Sequence, residues 1–190
     1  MKLYIILLLL CIAMMLQGCV STVAIGTTAV VTKTASDPRS FGRQLDDGTL
    51  EARITYRLAQ DYQLRKGTRI INTVYHGKVL LTGQAPSREL AERAKDLVLG
   101  LEGEPEVYNE IRQGKIVSFK QISIDVWITI QIWFHLLKNT GIKSSNVKVI
   151  TENGEVFLLG LVAYPEGKAI ASVASKVNCV KHVITAFSYL

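Results

Sequence analysis

The chain reads as an α+β protein made of two tandem αββαβ domains, each a small mixed sheet packed on one face by two helices. Three observations predict it. Gly77-Lys78-Val79-Leu80-Leu81-Thr82-Gly83 recurs as Gly154-Glu155-Val156-Phe157-Leu158-Leu159-Gly160 at an offset of 77 residues. Each copy lies in a strand–turn–strand pattern, and Asn153-Gly154 is a strong hairpin turn because both residues tolerate positive φ. Ahead of each hairpin, Asp47, Leu50, Ile54 and Leu58 align with Asp125, Ile128, Ile132 and Leu136 at an offset of 78, apolar at every fourth position and therefore on one helical stripe.

The first element is a leader. Lys2 is followed by an apolar run from Leu3 to Leu16, and Leu16-Gln17-Gly18-Cys19 closes it as a bacterial lipoprotein processing signal does, so residues 1–18 are excluded from the fold. The run is shorter than the ~20 residues that a spanning helix needs. Cleavage ahead of Cys19 leaves a thiol that takes diacylglycerol by thioether. Several acyl chains on one cysteine anchor stably where a single chain binds marginally, at ~0.8 kcal/mol per buried CH₂. Val20 and Ser21 follow in place of an aspartate that would resemble an inner-membrane retention signal, which predicts the inner leaflet of the outer membrane, facing the periplasm. Residues 19–45, rich in Thr, Val and Ala and broken at Asp37-Pro38-Arg39, read as a lipidated tether with a reach of ~30 Å.

The first domain spans 46–115. After the stripe helix come a strand at 71–75, the Gly77–Gly83 strand, a helix at 87–99 opened by Ser87, and a strand near 106–111. A linker near 112–121 is short enough that the two domains touch. The second domain, 122–190, repeats the order with a strand at 146–150, a helix at 166–176 and a strand at 181–187. Gly83 and Gly160 are read as strand ends, and neither belongs to a phosphate-binding loop.

Composition bounds the function. The 172 residues left after the leader hold 21 basic and 16 acidic side chains, a scattered excess that fits an anionic lipid surface; with export, this points to a membrane partner and away from nucleic acid. Cys11 departs with the leader and Cys19 carries lipid, so Cys179 has no intramolecular disulfide partner; its valine neighbours predict a buried or half-buried thiol. His76 falls in a hairpin turn, His182 at a strand start and His135 beside the core stripe, with no metal-ligand spacing among them. Glu102, Glu104, Glu106 and Glu110 are interrupted by Gly103 and Pro105 and read as a solvated loop and edge strand rather than an acid–base pair. No nucleophile elbow is present, and the chain is read as non-enzymatic with no metal and no cofactor.

The repeat supplies its own control, because a residue that the fold requires is apolar in both copies. On a helix over 124–138, Ile124, Ile128, Ile132 and Leu136 form the shared stripe. The opposite face carries Val126, Trp127, Ile130, Trp133, Phe134 and Leu137, where the first repeat has Gly48, Thr49, Ala52, Thr55, Tyr56 and Ala59. A helix apolar nearly all round meets something besides its own sheet. Three occupants fit: the first domain or linker, a protein partner or second copy, and a membrane. Lys120, Lys138 and Lys143 flank the helix, each worth ~1 kcal/mol near an anionic surface, and tryptophan favours the headgroup region.

The αββαβ repeat with its Gly-x-Val-x-Leu-x-Gly strand resembles the BON domain family. The resemblance is carried by Asp46-Asp47-Gly48-Thr49-Leu50-Glu51, Val107-Tyr108-Asn109-Glu110-Ile111, Ser144-Ser145-Asn146-Val147-Lys148-Val149 and Glu152-Asn153-Gly154-Glu155-Val156, and covers the chain from about Asp37 to its end. It implies a non-enzymatic periplasmic lipoprotein whose second domain binds anionic phospholipid, which gathers at the division site and supports outer-membrane integrity. Outer-membrane protein assembly or division machinery are the protein partners so implied, and the alternative is an envelope assembly adaptor whose apolar helix docks to a protein. The family pattern places basic side chains in the middle of this helix; Gln131 and Trp133 stand there instead, which shifts weight from headgroup charge toward apolar insertion.

Overall fold

A computed structural model describes residues 39–190, apart from Glu104 and Thr140. The leader, Cys19 and most of the tether lie outside the described residues. Residues from Pro38 onward form one compact unit that contains both repeats.

The first repeat contains helix α1 (Phe41–Gln60), the short helix α2 (Tyr62–Arg65), strands β1 (Arg69–Tyr75) and β2 (Lys78–Ala85), helix α3 (Arg88–Leu99) and strand β3 (Glu106–Gln113). The second contains α4 (Phe119–Lys138), a 3₁₀ turn at Ser144–Asn146, β4 (Val147–Glu152), β5 (Glu155–Val162), α5 (Tyr164–Ser175) and β6 (His182–Tyr189). Each sheet has three strands, with the hairpin antiparallel and the last strand parallel to the middle one. The parallel pairing is possible because α3 and α5 provide the crossovers.

Local chemistry sets the boundaries. Ser40, Ser87 and Ser118 cap α1, α3 and α4, each side-chain oxygen accepting a backbone N–H of the first turn. The helix begins at Phe41, so the last part of the stretch read as tether is helical, and α2 is an element that periodicity did not reveal. Both hairpins turn on residues with positive φ, His76-Gly77 and Asn153-Gly154. Gly83 and Gly160 lie inside β2 and β5 rather than at strand ends. A Cβ on Gly83 would sit 1.8 Å from the Arg69 carbonyl oxygen, and one on Gly160 2.5 Å from that of Asn146, so the glycines permit close strand approach. Cys179 is exposed, in the turn before β6 at φ 70°, which corrects the expectation of a buried or half-buried thiol: the turn carries its side chain away from the neighbouring valines.

Alternation along the strands creates two interior faces. Val79 and Leu81 face α1 and α3, and Val156, Leu158 and Val162 face α4 and α5. The intervening Leu80, Phe157 and Leu159 join Tyr75 in a third cluster, where the two sheets pack back to back. The helices therefore lie on the two outer sides of a sheet–sheet core. Polar groups stitch its rim: Arg69 reaches Glu152 at 2.5 Å, Gln84 donates to the same carboxylate at 2.7 Å, and Arg112 bonds Glu155 at 2.8 Å. The Tyr75 hydroxyl donates to the Asn146 carbonyl at 3.2 Å. The domains do touch, through their sheets, and this leaves the outward side of α4 uncovered by the first domain.

Candidate lipid-facing site

α4 is held in place by its shared stripe. Ile128, Ile132 and Leu136 are completely buried, and Ile124 packs partly against the same core. A second device fixes the helix to the hairpin. The buried Asp125 carboxylate accepts the backbone N–H groups of Asn153 and Gly154, each at 2.8 Å, and a side-chain bond from Gln121 at 2.9 Å. Asp47 does the same in the first repeat, accepting from His76 and Gly77 at 2.7 and 2.9 Å. The two aspartates, aligned in the sequence, are thus turn acceptors that lock helix to sheet.

With that face anchored, the opposite one is bare. Val126, Trp127, Ile130, Phe134 and Leu137 are between 52 and 68% exposed. Trp133 differs: it is half-buried and packs against the core of its own domain. It sits about 100° round the helix from Ile132, on the flank rather than the back, where a large indole reaches the core edge. Lys120 and Lys138 are exposed. The Lys138 ammonium lies 4.2 Å from the centre of the Phe134 ring, a cation–π contact that places positive charge at one end of the apolar stripe. His135 is exposed and meets Phe134 edge-on. Phe119, at the other end of the helix, is 83% exposed and extends the apolar surface beyond the residues singled out from the sequence. Its counterpart Phe41 is 68% exposed, so the repeat comparison gave no signal there.

No described helix, α4 included, is long and apolar enough to cross a membrane. Among the described residues, no group of three metal-ligating side chains comes together. An open cleft of about 220 Å³ borders this helix, between α4, β4 and the β1 strand of the other repeat.

A family model for the BON domain matches residues 46–115 and 124–190, the two αββαβ repeats. The chain belongs to the BON domain family. It is similar to the outer membrane lipoprotein DolP of Haemophilus influenzae, with 45% identity over 175 residues that span 92% of this chain and 90% of that one. It is also similar to the 21 kDa hemolysin of Actinobacillus pleuropneumoniae, with 50% identity over 154 residues, covering 81% of this chain and 79% of the relative. As a tandem BON protein, the chain carries a stripe of five exposed apolar side chains on α4 of the second BON domain, while α1 of the first exposes Phe41, Leu45 and Tyr56 but has Gly48, Thr49, Ala52 and Ala59 at the other positions of that stripe.

Proposed function

We propose that this chain is a non-enzymatic outer-membrane lipoprotein, anchored through Cys19 on the inner leaflet, which binds anionic phospholipid through α4 of its second BON domain. One observation carries the reading. Five large apolar side chains, Val126, Trp127, Ile130, Phe134 and Leu137, stand more than half exposed on α4, although the first repeat folds with Gly48, Thr49, Ala52, Tyr56 and Ala59 in their places. Burying a large apolar side chain contributes ~1.5–3 kcal/mol, so even three half-exposed ones entering a bilayer give several kcal/mol. Lys120 and Lys138 add attraction to anionic headgroups. A lipid tether raises the effective concentration of the membrane, so a weak face suffices to orient the protein. Envelope integrity and cell division are the processes that such a sensor of lipid composition serves.

Both tryptophans of the chain, Trp127 and Trp133, lie on α4, so tryptophan fluorescence, excited selectively at the red edge, reports on this helix alone. Mixing the compact unit 38–190 with phosphatidylglycerol-containing vesicles is expected to shift the emission to the blue and to pellet the protein with the lipid. Trp127→Glu is expected to abolish pelleting with the thermal melt unchanged. If this variant pellets like the parent, the membrane role is rejected. A docking role for the same face predicts no vesicle binding and capture only by a purified envelope protein.

A further inference from the structure

We infer that the cleft between the repeats is an acyl-chain subsite, so that the first domain takes part in the lipid contact. The inference rests on the membrane reading of α4. The cleft opens beside the N-terminal half of α4, whose Ile122, Val126 and Ile130 form one wall, and Ile71 of β1 in the first repeat forms the other. Val126 and Ile130 belong both to this wall and to the exposed stripe, at 54 and 52% exposure, so a molecule lying along the stripe runs directly into the cleft.

The chemistry of the lining selects the occupant. Every carboxylate and hydroxyl in it is already engaged. Thr129 donates to Thr151 at 2.8 Å, and Glu152 is held by Arg69 at 2.5 Å and Gln84 at 2.7 Å. The Asp125 carboxylate is taken by the N–H groups of Asn153 and Gly154. What remains for a ligand is the methyl and methylene surface of Ile71, Ile122, Val126 and Ile130, beside the Arg69 side chain, whose guanidinium is paired with Glu152. A closed apolar cavity of about 150 Å³ takes up benzene, so a cleft of about 220 Å³ accommodates a short stretch of hydrocarbon.

The source is a phospholipid of the bilayer on which α4 rests. Moving a chain from bilayer to cleft brings little gain for the chain itself; the driving force is the drying of walls that otherwise stay wet while the helix lies in the interface. The repeat sharpens the case. Gln44, Gly48 and Ala52 of α1 align with Ile122, Val126 and Ile130, so only the second repeat supplies the aliphatic wall.

The test uses the unit 38–190, which carries both BON cores within one compact body and lacks Cys19, so that no acyl chain of its own competes. Vesicles of phosphatidylcholine with about one quarter phosphatidylglycerol provide the chains and the negative surface. Two substitutions address the first-domain wall: Ile71→Trp fills the cleft with an apolar ring, and Ile71→Asp makes it polar. Each is expected to weaken vesicle binding about tenfold, the equivalent of ~1.4 kcal/mol. In small bicelles of the same lipids, nuclear Overhauser contacts are expected between acyl methylenes and the Ile71 methyl groups. The tryptophan variant separates an entered cleft from a mere lipid contact, because a larger apolar surface at 71 would otherwise strengthen binding. Should Trp127→Glu abolish binding while both Ile71 variants bind as the parent does and the methyl contacts are missing, the subsite is refuted and the α4 reading stands. Should Trp127→Glu bind normally, both fall.

Discussion

In α1, Ile54 and Leu58 are buried beneath the helix while Thr49, Ala52 and Thr55 face out. In α4, Ile132 and Leu136 occupy the same depth, and Trp127, Ile130 and Leu137 face out where Thr49, Ala52 and Ala59 face out of α1. The repeats share their inward chemistry down to Asp47 and Asp125, which accept the same pair of turn N–H groups in each. The difference is confined mainly to positions that the fold leaves free, since Tyr56 and Phe41 keep aromatic character opposite Phe134 and Phe119. A surplus that one copy folds without is a cost to solubility unless something covers it. Internal duplication thus separates, within one molecule, what the scaffold requires from what one copy has added.

The sharpest way to break this comparison is at the strand glycines. Gly83→Ala places a methyl group 1.8 Å from the Arg69 carbonyl oxygen at a residue whose φ is +118°, whereas Gly160→Ala meets the Asn146 oxygen at 2.5 Å with no such backbone constraint. Both are expected to destabilise, Gly83→Ala by more than ~3 kcal/mol and Gly160→Ala by less. Because the Asn146 carbonyl also accepts from Tyr75, the second substitution is expected to loosen the sheet–sheet contact. Urea titrations of the two variants test the order; equal losses would mean that the positive φ and closer contact at Gly83 add nothing to what Gly160 meets.

The aspartates follow in size. Removing either carboxylate leaves two turn N–H groups without an acceptor, at ~1–3 kcal/mol for a buried group. Asp47→Ala and Asp125→Ala are expected to cost about 2–4 kcal/mol each. Each also loses one side-chain contact, Asp47→Ala the ion pair with Arg39 at 2.7 Å and Asp125→Ala the bond from Gln121 at 2.9 Å, so the two losses are expected to be similar. A near-equal pair of denaturation midpoints supports one shared scaffold, and a large loss in only one repeat argues against it.

Much of this was legible in the residues. The Gly-x-Val-x-Leu-x-Gly recurrence and the stripe at every fourth residue fixed the hairpins and helices, since local periodicity is what those patterns encode. Exposure of Trp127 and Phe134 followed from comparing aligned positions, and the same comparison applied to Ile122 against Gln44 would have found the cleft wall. Ile71 could not be found this way, because its role depends on how the two sheets meet. Nor could Trp133 be placed: it lies on the helix flank, where side-chain size decides whether a ring reaches the core. Cys179 was misread because valine neighbours in sequence say nothing of a turn with positive φ.

The smallest effect lies where the repeats diverge without any apolar surplus. Asp61 caps α2 by accepting the N–H groups of Gln63 and Leu64, and its other oxygen binds Arg93 of α3; the aligned residues of the second repeat are Asn139 and Ala169, and among the described residues no α-helix follows α4 at the place of α2. The hydrogen bond from Arg93 is the main cause holding the Asp61 carboxyl below its ordinary range. A carboxyl whose folded pKa is depressed stabilises the fold fully above its unfolded value of ~3.9 and loses that contribution as pH falls through the lower folded value. Asp61→Asn is therefore expected to lower the melting temperature slightly at neutral pH, and the gap from the parent is expected to narrow as the solution is acidified below about pH 4. Melts at both pH values decide it: a gap that stays constant would show that Asp61 acts as a neutral cap, and that the first repeat gains nothing from the ion pair its partner repeat lacks.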